Sequence, residues 1–467
     1  MKEIHGFRRA LTAGALGLLV LIACEPEIVE EPFEPTGSHA SYSEGLVQLE
    51  LDSSELGRRW LSAADAALVS PTVVQAPFRE VAFFDPAMPD AVGYQFAAER
   101  GRTITVEIAT ELERYFADVF RIAEGAEPVL VASRPANGSS VVFEPRNDGI
   151  YLVRIQPELL RGGRFEVAIV ARAALGFPVE GVGPEAILSF YGDARDGGLR
   201  RHEGIDIFSP RGTLILAASD SVVYRVGERD RGGNIVTLYD EQRDLLLYYA
   251  HLDEQLVREG QRVSAGDPIG TNGNTGNAVT TPPHLHIGLY QGSWRRDVDP
   301  WNFFVDPPVT EPPAAADDDL VGGWFALSQS VTTPGPPAPT AQPRFVNFNR
   351  SAAVDARELE DALIRLTPPP STLAAGTAVR VLGVSRQSAR VQTADGATGV
   401  IPITVLGAAA PPEQVTVRER VEALDSSTGD AIAELAPGST VTLLGATPAG
   451  VSVVELPSGR VAVAPLL

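Results

Sequence analysis

The stretch TTPPHLHIGLY, residues 280–290, places two histidines one residue apart in an apolar run. Successive side chains of an extended chain point to opposite faces, so His284 and His286 share one face while Leu285 and Ile287 take the other. Two such histidines are either two hydrogen-bonded side chains or half of a metal site. The rest of the sequence has to distinguish these interpretations.

The remaining histidines favour the metal site. The chain has six histidines among 467 residues, and four of them lie between positions 202 and 286, where random placement would put about one. His202 and Asp206 stand in RRHEGIDIFS, where Asp206 lies on a predicted strand between two isoleucines. His251 ends another predicted strand, LLLYYAHL. This concentration calls for a local cause, and metal chemistry is the leading candidate.

The number and type of these side chains favour a catalytic metal. Zinc takes nitrogen and carboxylate ligands in a tetrahedron, and a catalytic zinc keeps three protein ligands and one open position. Four histidines and one aspartate exceed that need by two imidazoles. An imidazole exchanges protons near neutral pH, which suits it to acid–base work. We therefore expect an enzyme with one zinc ion per chain rather than a structural zinc site.

Three motifs in this region are specific when taken together. They are His-x-x-x-Asp at 202–206, Tyr-Ala-His-Leu at 249–252 and His-Leu-His at 284–286, with GNTG shortly before the last. Residues 189–300 thereby resemble the lysostaphin-like (LytM-type) zinc metallopeptidases, which cut peptide cross-links in bacterial peptidoglycan. The resemblance implies an antiparallel β-sheet domain. It also implies site roles, with His202, Asp206 and His286 as zinc ligands and His251 and His284 as catalytic residues.

Further residues are expected around this site. Tyr191, Tyr249 and Asn274 are candidates for lining a substrate groove or supporting the ligands. Tyr248 and Tyr249 must point opposite ways on a strand, so at least one of them belongs to the core. The chain departs from the family pattern at Pro282-Pro283 before the histidine pair, at Ile287-Gly288 after it, and by the insertion NAVTT. We expect these departures to affect substrate choice more than the ligands.

The N-terminus predicts export and a lipid anchor. Residues 1–23 combine Lys2, Arg8 and Arg9 with a short apolar run, which indicates a signal peptide. The run ends at Cys24, the only cysteine, in LIAC, which resembles a bacterial lipobox and implies lipidation of that cysteine. A plain signal peptide or an uncleaved anchor is the alternative. The acidic, proline-rich residues 24–41 predict a flexible tether, which would hold the protein on a membrane of the cell envelope, facing the periplasm or the exterior.

Composition predicts a modular, mainly β protein. The formal charge of −22 argues against nucleic-acid binding, and 44 glycines with 37 prolines favour strands and turns. The strand pattern predicts a β-sandwich that resembles a jelly roll, and two C-terminal repeats resemble bacterial SH3-like barrels. The predicted units are a helical lead-in (42–77), the β-sandwich (78–173), the peptidase domain (174–307), a Pro-rich linker (308–343) and the two SH3-like repeats (344–410 and 411–467).

These observations predict a lipid-anchored zinc endopeptidase that hydrolyses peptide cross-links of peptidoglycan. Two alternatives remain open. One is a non-catalytic cell-wall-binding regulator that activates another hydrolase. The other is a protease of extracellular protein, which differs from the first interpretation only in its substrate. Peptidoglycan and the membrane are the expected partners.

Overall fold

The structure of the chain is a computed structural model. It describes residues 37–332 apart from 113 and 124, and residues 372–466 apart from 394–397, 410–412, 426–428, 447–450 and 458–459. The predicted signal peptide, Cys24 and most of the predicted tether lie outside the described residues, as do residues 344–371 of the first predicted SH3-like repeat. In the described ranges, no helix has both the length and the apolar character needed to cross a membrane.

Helices make up a small part of the residues that the structure describes. The α-helices are α1 (His39–Gln48), α2 (Glu55–Val69) and α3 (Trp301–Phe304). Single 3₁₀ turns lie at Leu51–Ser53, Pro184–Ala186, Asp196–Gly198, Gly276–Ala278, Asp318–Leu320 and Ile403–Val405. Helix α2 lies within the predicted helical lead-in (42–77), and the Ser54 side chain caps its N-terminus. Trp60 of α2 is buried and donates its indole N–H to the Pro157 carbonyl.

The tether prediction for residues 24–41 is wrong at its C-terminal end, because α1 already begins at His39. The imidazole of His39 stacks on the Trp60 ring with centroids 4.7 Å apart. It also donates a hydrogen bond to the Gln156 side chain over 2.7 Å. These contacts give the first turn of α1 a buried partner that an acidic, proline-rich composition does not reveal.

The first strands form two sheets around one apolar core. One sheet has the order β1-β3-β8-β5-β6, and the other contains β2-β9-β4-β7. The strands are β1 (Thr72–Val73), β2 (Phe78–Phe84), β3 (Val92–Ala98), β4 (Arg102–Thr110), β5 (Tyr115–Ile122), β6 (Val129–Ser133), β7 (Ser140–Phe143), β8 (Gly149–Pro157) and β9 (Gly163–Ala173). Both sheets supply alternating side chains to the core, as a sandwich requires. The jelly-roll resemblance stays a prediction.

The central region is built on an eight-stranded sheet with the order β10-β13-β20-β17-β16-β15-β18, and β21 pairs with β20. Its strands, with two two-stranded sheets (β11-β12 and β14-β19) beside it, are β10 (Ile187–Ser189), β11 (Ala194–Arg195), β12 (Arg200–Arg201), β13 (Ile205–Phe208), β14 (Leu214–Leu216), β15 (Ser221–Arg229), β16 (Gly233–Asp240), β17 (Leu245–Leu252), β18 (Arg262–Val263), β19 (Pro268–Thr271), β20 (His284–Gln291) and β21 (Asp297–Val298). One face of this sheet is covered by an apolar core that includes Leu247, Tyr249 and Ile287. The mainly β prediction is confirmed.

The C-terminal strands form two further units. The first contains β22 (Trp324–Leu327), β23 (Val331–Thr332), β24 (Thr372–Leu373), β25 (Ala378–Val384), β26 (Ser388–Thr393), β27 (Thr398–Pro402) and β28 (Leu406–Ala409). The second contains β29 (Glu413–Thr416), β30 (Val421–Leu424), β31 (Ala431–Leu435), β32 (Thr440–Ala446), β33 (Ser452–Glu455) and β34 (Val461–Ala464). Each unit has a small apolar core. The SH3-like resemblance stays a prediction for both.

Two predictions about the tail are wrong. The Pro-rich linker predicted at 308–343 contains β22, because Phe325 and Leu327 alternate into the core of the first C-terminal unit. Nor is the tail a separate body beyond a spacer. Strand β25 pairs with β2, so the sheet of the first C-terminal unit continues directly into the β-sandwich. A strand edge that pairs with another edge gains backbone hydrogen bonds, which stabilises the junction between the two sheets.

Candidate metal centre

Strand register brings the predicted ligands together. On β13 and β20, Asp206 lies directly opposite His286, and Phe208 lies opposite His284. On the other side of β20, Ala250 of β17 is the partner of His286. Since opposite residues of antiparallel strands share a face, Asp206 and both histidines of the pair point to the same side of the sheet. The core covers the other side, so the alternation in HLHIGLY has the predicted orientation.

Three side chains converge to form a compact donor cluster. The Nε2 atom of His202 lies 2.9 Å from Nδ1 of His286 and 3.1 Å from Oδ1 of Asp206. The third edge of this triangle, between His286 Nδ1 and Asp206 Oδ1, is 3.0 Å. His202 and Asp206 are buried, and His286 is partly buried. Two nitrogens and one oxygen therefore face a single point.

This donor set fits zinc. A tetrahedral zinc ion with bonds of about 2.0–2.1 Å separates its ligand atoms by about 3.3 Å. The three edges of the triangle, 2.9–3.1 Å, are close to that value. Neutral imidazole and carboxylate are ligands that zinc accepts. Three protein ligands also leave one position of a tetrahedron open, which is the pattern of a catalytic site rather than a structural one.

Hydrogen bonds behind the ligands hold their orientation. His202 Nδ1 donates to the Phe190 carbonyl over 2.8 Å, which leaves Nε2 of the neutral ring without a proton and able to bind a metal. The guanidinium of Arg195 donates to Oδ2 of Asp206 over 2.9 Å and also contacts the Ser189 hydroxyl. The two oxygens of the Asp206 carboxylate thus have different partners, since Oδ2 binds Arg195 and Oδ1 faces the cluster.

The two additional histidines flank the cluster with a common arrangement. Nδ1 of His251 donates to the Thr275 carbonyl, and Nδ1 of His284 donates to the Pro282 carbonyl, both over 2.9 Å. The ring centroids of His251 and His284 are 5.0 Å apart, and the His251 ring is 6.0 Å from that of His286. With Nδ1 occupied in each ring, Nε2 is the atom left for chemistry.

Backbone geometry at His251 is unusual. Its φ is +64°, a left-handed conformation that is uncommon for a residue other than glycine. Its N–H donates to the Gly232 carbonyl over 2.7 Å, which ties the residue to the turn between β15 and β16. Such a conformation persists where the surrounding structure enforces it, and it is frequent at functional sites. The turn therefore helps aim the His251 ring at the cluster.

The ionisable groups of the cluster perturb one another. Burial alone would raise the pKa of Asp206, but the hydrogen bonds from His202 and His286 outweigh it and hold that pKa well below its usual range. Burial, followed by the neighbouring His286, lowers the pKa of His251 to about 4. Burial likewise lowers the pKa of His286. The carboxylate is therefore charged and these two imidazoles are neutral near pH 7, which are the forms that ligands and proton acceptors need.

The prediction that Tyr249 lines the groove or supports the ligands is wrong. It is fully buried in the core, on the opposite face of β17, and its hydroxyl accepts a hydrogen bond from the Ala218 N–H. Its neighbour Tyr248 lies on the site face, with its ring centroid 6.1 Å from that of His286. The sequence predicted that the two tyrosines diverge, and only the register decides which of them faces the site.

Tyr191 and Asn274 lie near the site without contacting the imidazoles in the described hydrogen-bond pattern. Tyr191 donates to Asp297 over 2.6 Å and accepts from Arg201, and burial, followed by the Asp297 hydrogen bond, raises the pKa of Tyr191 to about 12. The Asn274 side chain donates to the Thr281 carbonyl over 3.1 Å. It thereby fastens the NAVTT insertion to the GNTG turn.

Sequence reasoning missed several residues that shape this site. Arg195 carries no motif signal, because it reaches Asp206 from a short hairpin outside the sheet. Phe208 stacks on the His284 ring at 4.9 Å, which its position opposite His284 explains. Trp294 lies against Tyr248 at 5.8 Å. In the sequence, Trp294 follows Gly292 and Ser293, and a tryptophan beside such turn-forming residues is a signal that could have drawn attention to this side of the site.

Comparison with known proteins places the central region in a family. Residues 200–300 match the model of Peptidase family M23. The chain is 40% identical over 90 residues to the peptidoglycan DD-endopeptidase ShyC of Vibrio cholerae, covering 19% of this chain and 20% of ShyC. It is 37% identical over 117 residues to the murein hydrolase activator NlpD of Escherichia coli, covering 25% of this chain and 28% of NlpD.

A solved structure gives a similar match. The catalytic domain of lysostaphin from Staphylococcus simulans is 32% identical, and the match covers 24% of this chain and 85% of that domain with a TM-score of 0.22. The chain spans less than a third of the length of ShyC and NlpD. The central region is thus an M23 peptidase domain with its His-Asp-His metal site intact.

Proposed function

We propose that the protein is a zinc-dependent endopeptidase that hydrolyses peptide cross-links of peptidoglycan in the cell envelope. The observation that carries this proposal is the combination of a complete three-donor cluster with two further imidazoles beside it. A structural zinc site would need the donors but not His251 and His284. A binding module would need neither.

In this proposal His202, Asp206 and His286 hold the zinc ion. When bound, zinc supplies Lewis-acid polarisation of a carbonyl oxygen and lowers the pKa of water towards neutrality. The protein contributes the orientation of the ligands. Phe190 fixes the tautomer of His202, and Arg195 leaves one oxygen of Asp206 directed at the cluster. Loss of such supporting contacts usually weakens metal affinity about 10- to 100-fold.

His251 and His284 carry the proton transfers in this proposal. Each ring donates Nδ1–H to a backbone carbonyl, so the neutral ring offers Nε2 as a proton acceptor. Once protonated, the same Nε2 donates to an oxyanion or to the leaving amine. General acid–base catalysis of this kind contributes about 10²- to 10⁴-fold to a rate. Both rings face the cluster, so both are suitable for either half of this exchange.

The test uses purified protein and cell-wall sacculi. Zinc-loaded protein should release new amino groups from sacculi, and a chelator should abolish the release until zinc is restored. Digestion of defined cross-linked muropeptides with mass analysis would identify the bond. Zinc-loaded protein that leaves both sacculi and muropeptides intact would contradict the proposal.

A second candidate function is that of an activator of another hydrolase, and the similarity to NlpD favours it. The two candidate functions predict opposite results when the purified protein is incubated with sacculi in the absence of another hydrolase. An activator would release nothing from sacculi by itself but would accelerate a separate wall hydrolase. Its effect would also survive His251→Ala, since activation needs the fold and not the proton acceptor. The filled ligand and imidazole positions favour the enzyme.

The remaining parts of the proposal concern location. We propose that Cys24 carries a lipid anchor and that the peptidase domain works on the envelope of its own cell. We also propose that the β-sandwich acts as a spacer and that the two C-terminal units bind or position the wall. Labelling with a fatty-acid probe, compared between the full chain and Cys24→Ser, tests the anchor. Equal labelling of both proteins would contradict it.

A further inference from the structure

A row of residues crosses the site face beyond the metal cluster. Strand register places Arg225, Thr237, Tyr248 and Gly288 opposite one another on β15, β16, β17 and β20. Gly288 follows His286 by two residues and therefore lies on the same face. A Cβ atom at Gly288 would lie 3.1 Å from the Tyr290 ring, so the missing side chain makes room for aromatic groups beside the cluster.

Aromatic rings fill that room in a continuous series. The Tyr248 ring packs edge-on between His286, at 6.1 Å, and Trp294, at 5.8 Å. Trp294 also packs on Tyr290 at 4.9 Å. Although it is held by two tyrosines, Trp294 is 44% exposed. A rigid indole kept in solvent beside an active site is typical of a surface that contacts ligand.

Two arginines lie beside these rings. Arg225 and Arg229 are exposed and share a face of β15, whereas Glu228 points to the other face. Among the described residues, neither guanidinium has an ion-pair partner within 4 Å. Arg229 acts electrostatically on Tyr248, because it opposes the rise that burial causes in the pKa of that phenol. Both guanidiniums are therefore available to a carboxylate from outside the protein, in a chain whose formal charge is −22.

We propose that Arg225, Arg229, Tyr248 and Trp294 form a subsite that binds a carboxylate-bearing arm of an acidic cross-linked peptide. This inference rests on the proposed endopeptidase function and specifies its substrate class. Neighbouring strands lie about 4.8 Å apart and an extended peptide advances about 3.3 Å per residue, so a row across four strands spans about four substrate residues. Arginine recognises carboxylates through paired N–H donors, and the rings give apolar contact to the peptide.

The test compares two versions of one cross-linked muropeptide, with free side-chain carboxylates or with the same carboxylates amidated. The wild-type protein should prefer the free acid by about 10-fold in kcat/KM, since each exposed charge pair contributes modestly. Arg225→Gln/Arg229→Gln should remove the preference through KM, so that kcat/KM for the free acid falls to that for the amidated peptide. Arg258→Gln, at an exposed arginine of the loop after β17, is the matched control and should keep the preference.

Binding provides a readout that does not depend on turnover. Fluorescence anisotropy of the two labelled peptides on the zinc-loaded His251→Ala variant should reveal the same preference, and adding the two arginine substitutions should abolish it. Trp294→Ala should lower the affinity for both peptides about equally, and Trp294→Phe should recover most of the lost affinity. Equal binding of the free and amidated peptides, or an equal loss in Arg258→Gln, would overturn the subsite. Absence of hydrolysis with the binding preference intact would contradict only the endopeptidase proposal.

Discussion

Two buried carboxylates in this molecule have opposite surroundings. Glu80 of the β-sandwich meets Arg390 of the first C-terminal unit over 3.0 Å, and both side chains are almost fully buried. Asp206 of the central sheet meets two imidazoles at Oδ1, while Arg195 takes only Oδ2. In the first case the protein supplies a cation against the carboxylate. In the second a guanidinium takes one oxygen, and two neutral imidazoles surround the other oxygen at an open point.

The difference teaches how a buried charge is used. Glu80 and Arg390 pair with each other across the junction, and the pair therefore joins two parts of the fold. Gly383 of β25 contributes by leaving space, since a Cβ there would collide with the Glu80 carboxylate. Although Arg195 pairs with its Oδ2, Asp206 directs Oδ1 at two imidazole nitrogens, and these three atoms can together bind a divalent cation.

The largest expected effect is a difference between two variants of the metal centre, one that removes a zinc ligand and one that removes a residue proposed to transfer protons. His286→Ala should reduce zinc from one ion per chain to almost none, because only two donors remain. His251→Ala should retain zinc and lose about 10²- to 10⁴-fold in turnover, since it removes a proton acceptor and no ligand. Zinc content by mass spectrometry and hydrolysis of muropeptides measure the two quantities. Equal loss of zinc in both variants would contradict the division of roles.

The second prediction tests the other carboxylate. Glu80→Ala should lower the free energy of unfolding by about 3–5 kcal/mol, because it leaves the Arg390 guanidinium buried without its partner. Urea unfolding followed by circular dichroism measures this change. The double variant Glu80→Met/Arg390→Met is the control and should recover much of the loss. Zinc content should stay at the wild-type level in both. A loss below about 1 kcal/mol in Glu80→Ala would show that the pair is dispensable.

The smallest expected effect concerns a buried ionisable group with neither a metal nor a matched charge. Burial, followed by the nearby Arg154, lowers the pKa of His39 from 6.5 to about 4. Between these values the unfolded chain binds more protons than the folded one. The neutral His39 ring therefore makes its full contribution to the free energy of unfolding above pH 6.5, and this contribution is lost as the pH falls to about 4. The contribution is about 3 kcal/mol.

Unfolding at pH 7, 5.5 and 4 measures the effect of His39. The protection factors of the α1 amides, which correct for the intrinsic pH dependence of hydrogen exchange, should fall on acidification over the same range, because α1 is packed through the His39 ring. His39→Gln keeps a polar side chain and should reduce the pH dependence relative to the wild-type chain. An identical pH dependence in the variant would assign the effect to other groups.

Much of the metal centre could be predicted from the sequence because it depends on local periodicity. The spacing of two in His284-Leu285-His286 sets both imidazoles on one face whatever strand lies next to them. The four-residue step from His202 to Asp206 is similarly local. Arg195 could not be predicted, because its contact with Asp206 depends on the path of a hairpin. Tyr248 and Tyr249 were known to diverge, but the sequence does not say which face of β17 the core covers.

The tail was harder to predict for a related reason. The pairing of β2 with β25 joins residues about 300 positions apart, such as Val81 and Val384. Alternation indicates that each segment is a strand but carries no information on which distant edge it meets. The partner of WFAL at 324–327 could not be predicted for the same reason. The flanking prolines suggested a spacer, but this segment forms a strand that packs into the core of the first C-terminal unit.

By itself, the sequence determined the identities of the donors and the strand that holds the histidine pair, since side-chain chemistry and a two-residue period are local properties. Only the tertiary structure decided which tyrosine faces the site, that Arg195 takes one oxygen of Asp206, and that Arg225 and Tyr248 lie in one row across neighbouring strands. These features arise from register between strands that are distant in the chain. Register depends on the burial of one whole face of a sheet, which no single segment encodes.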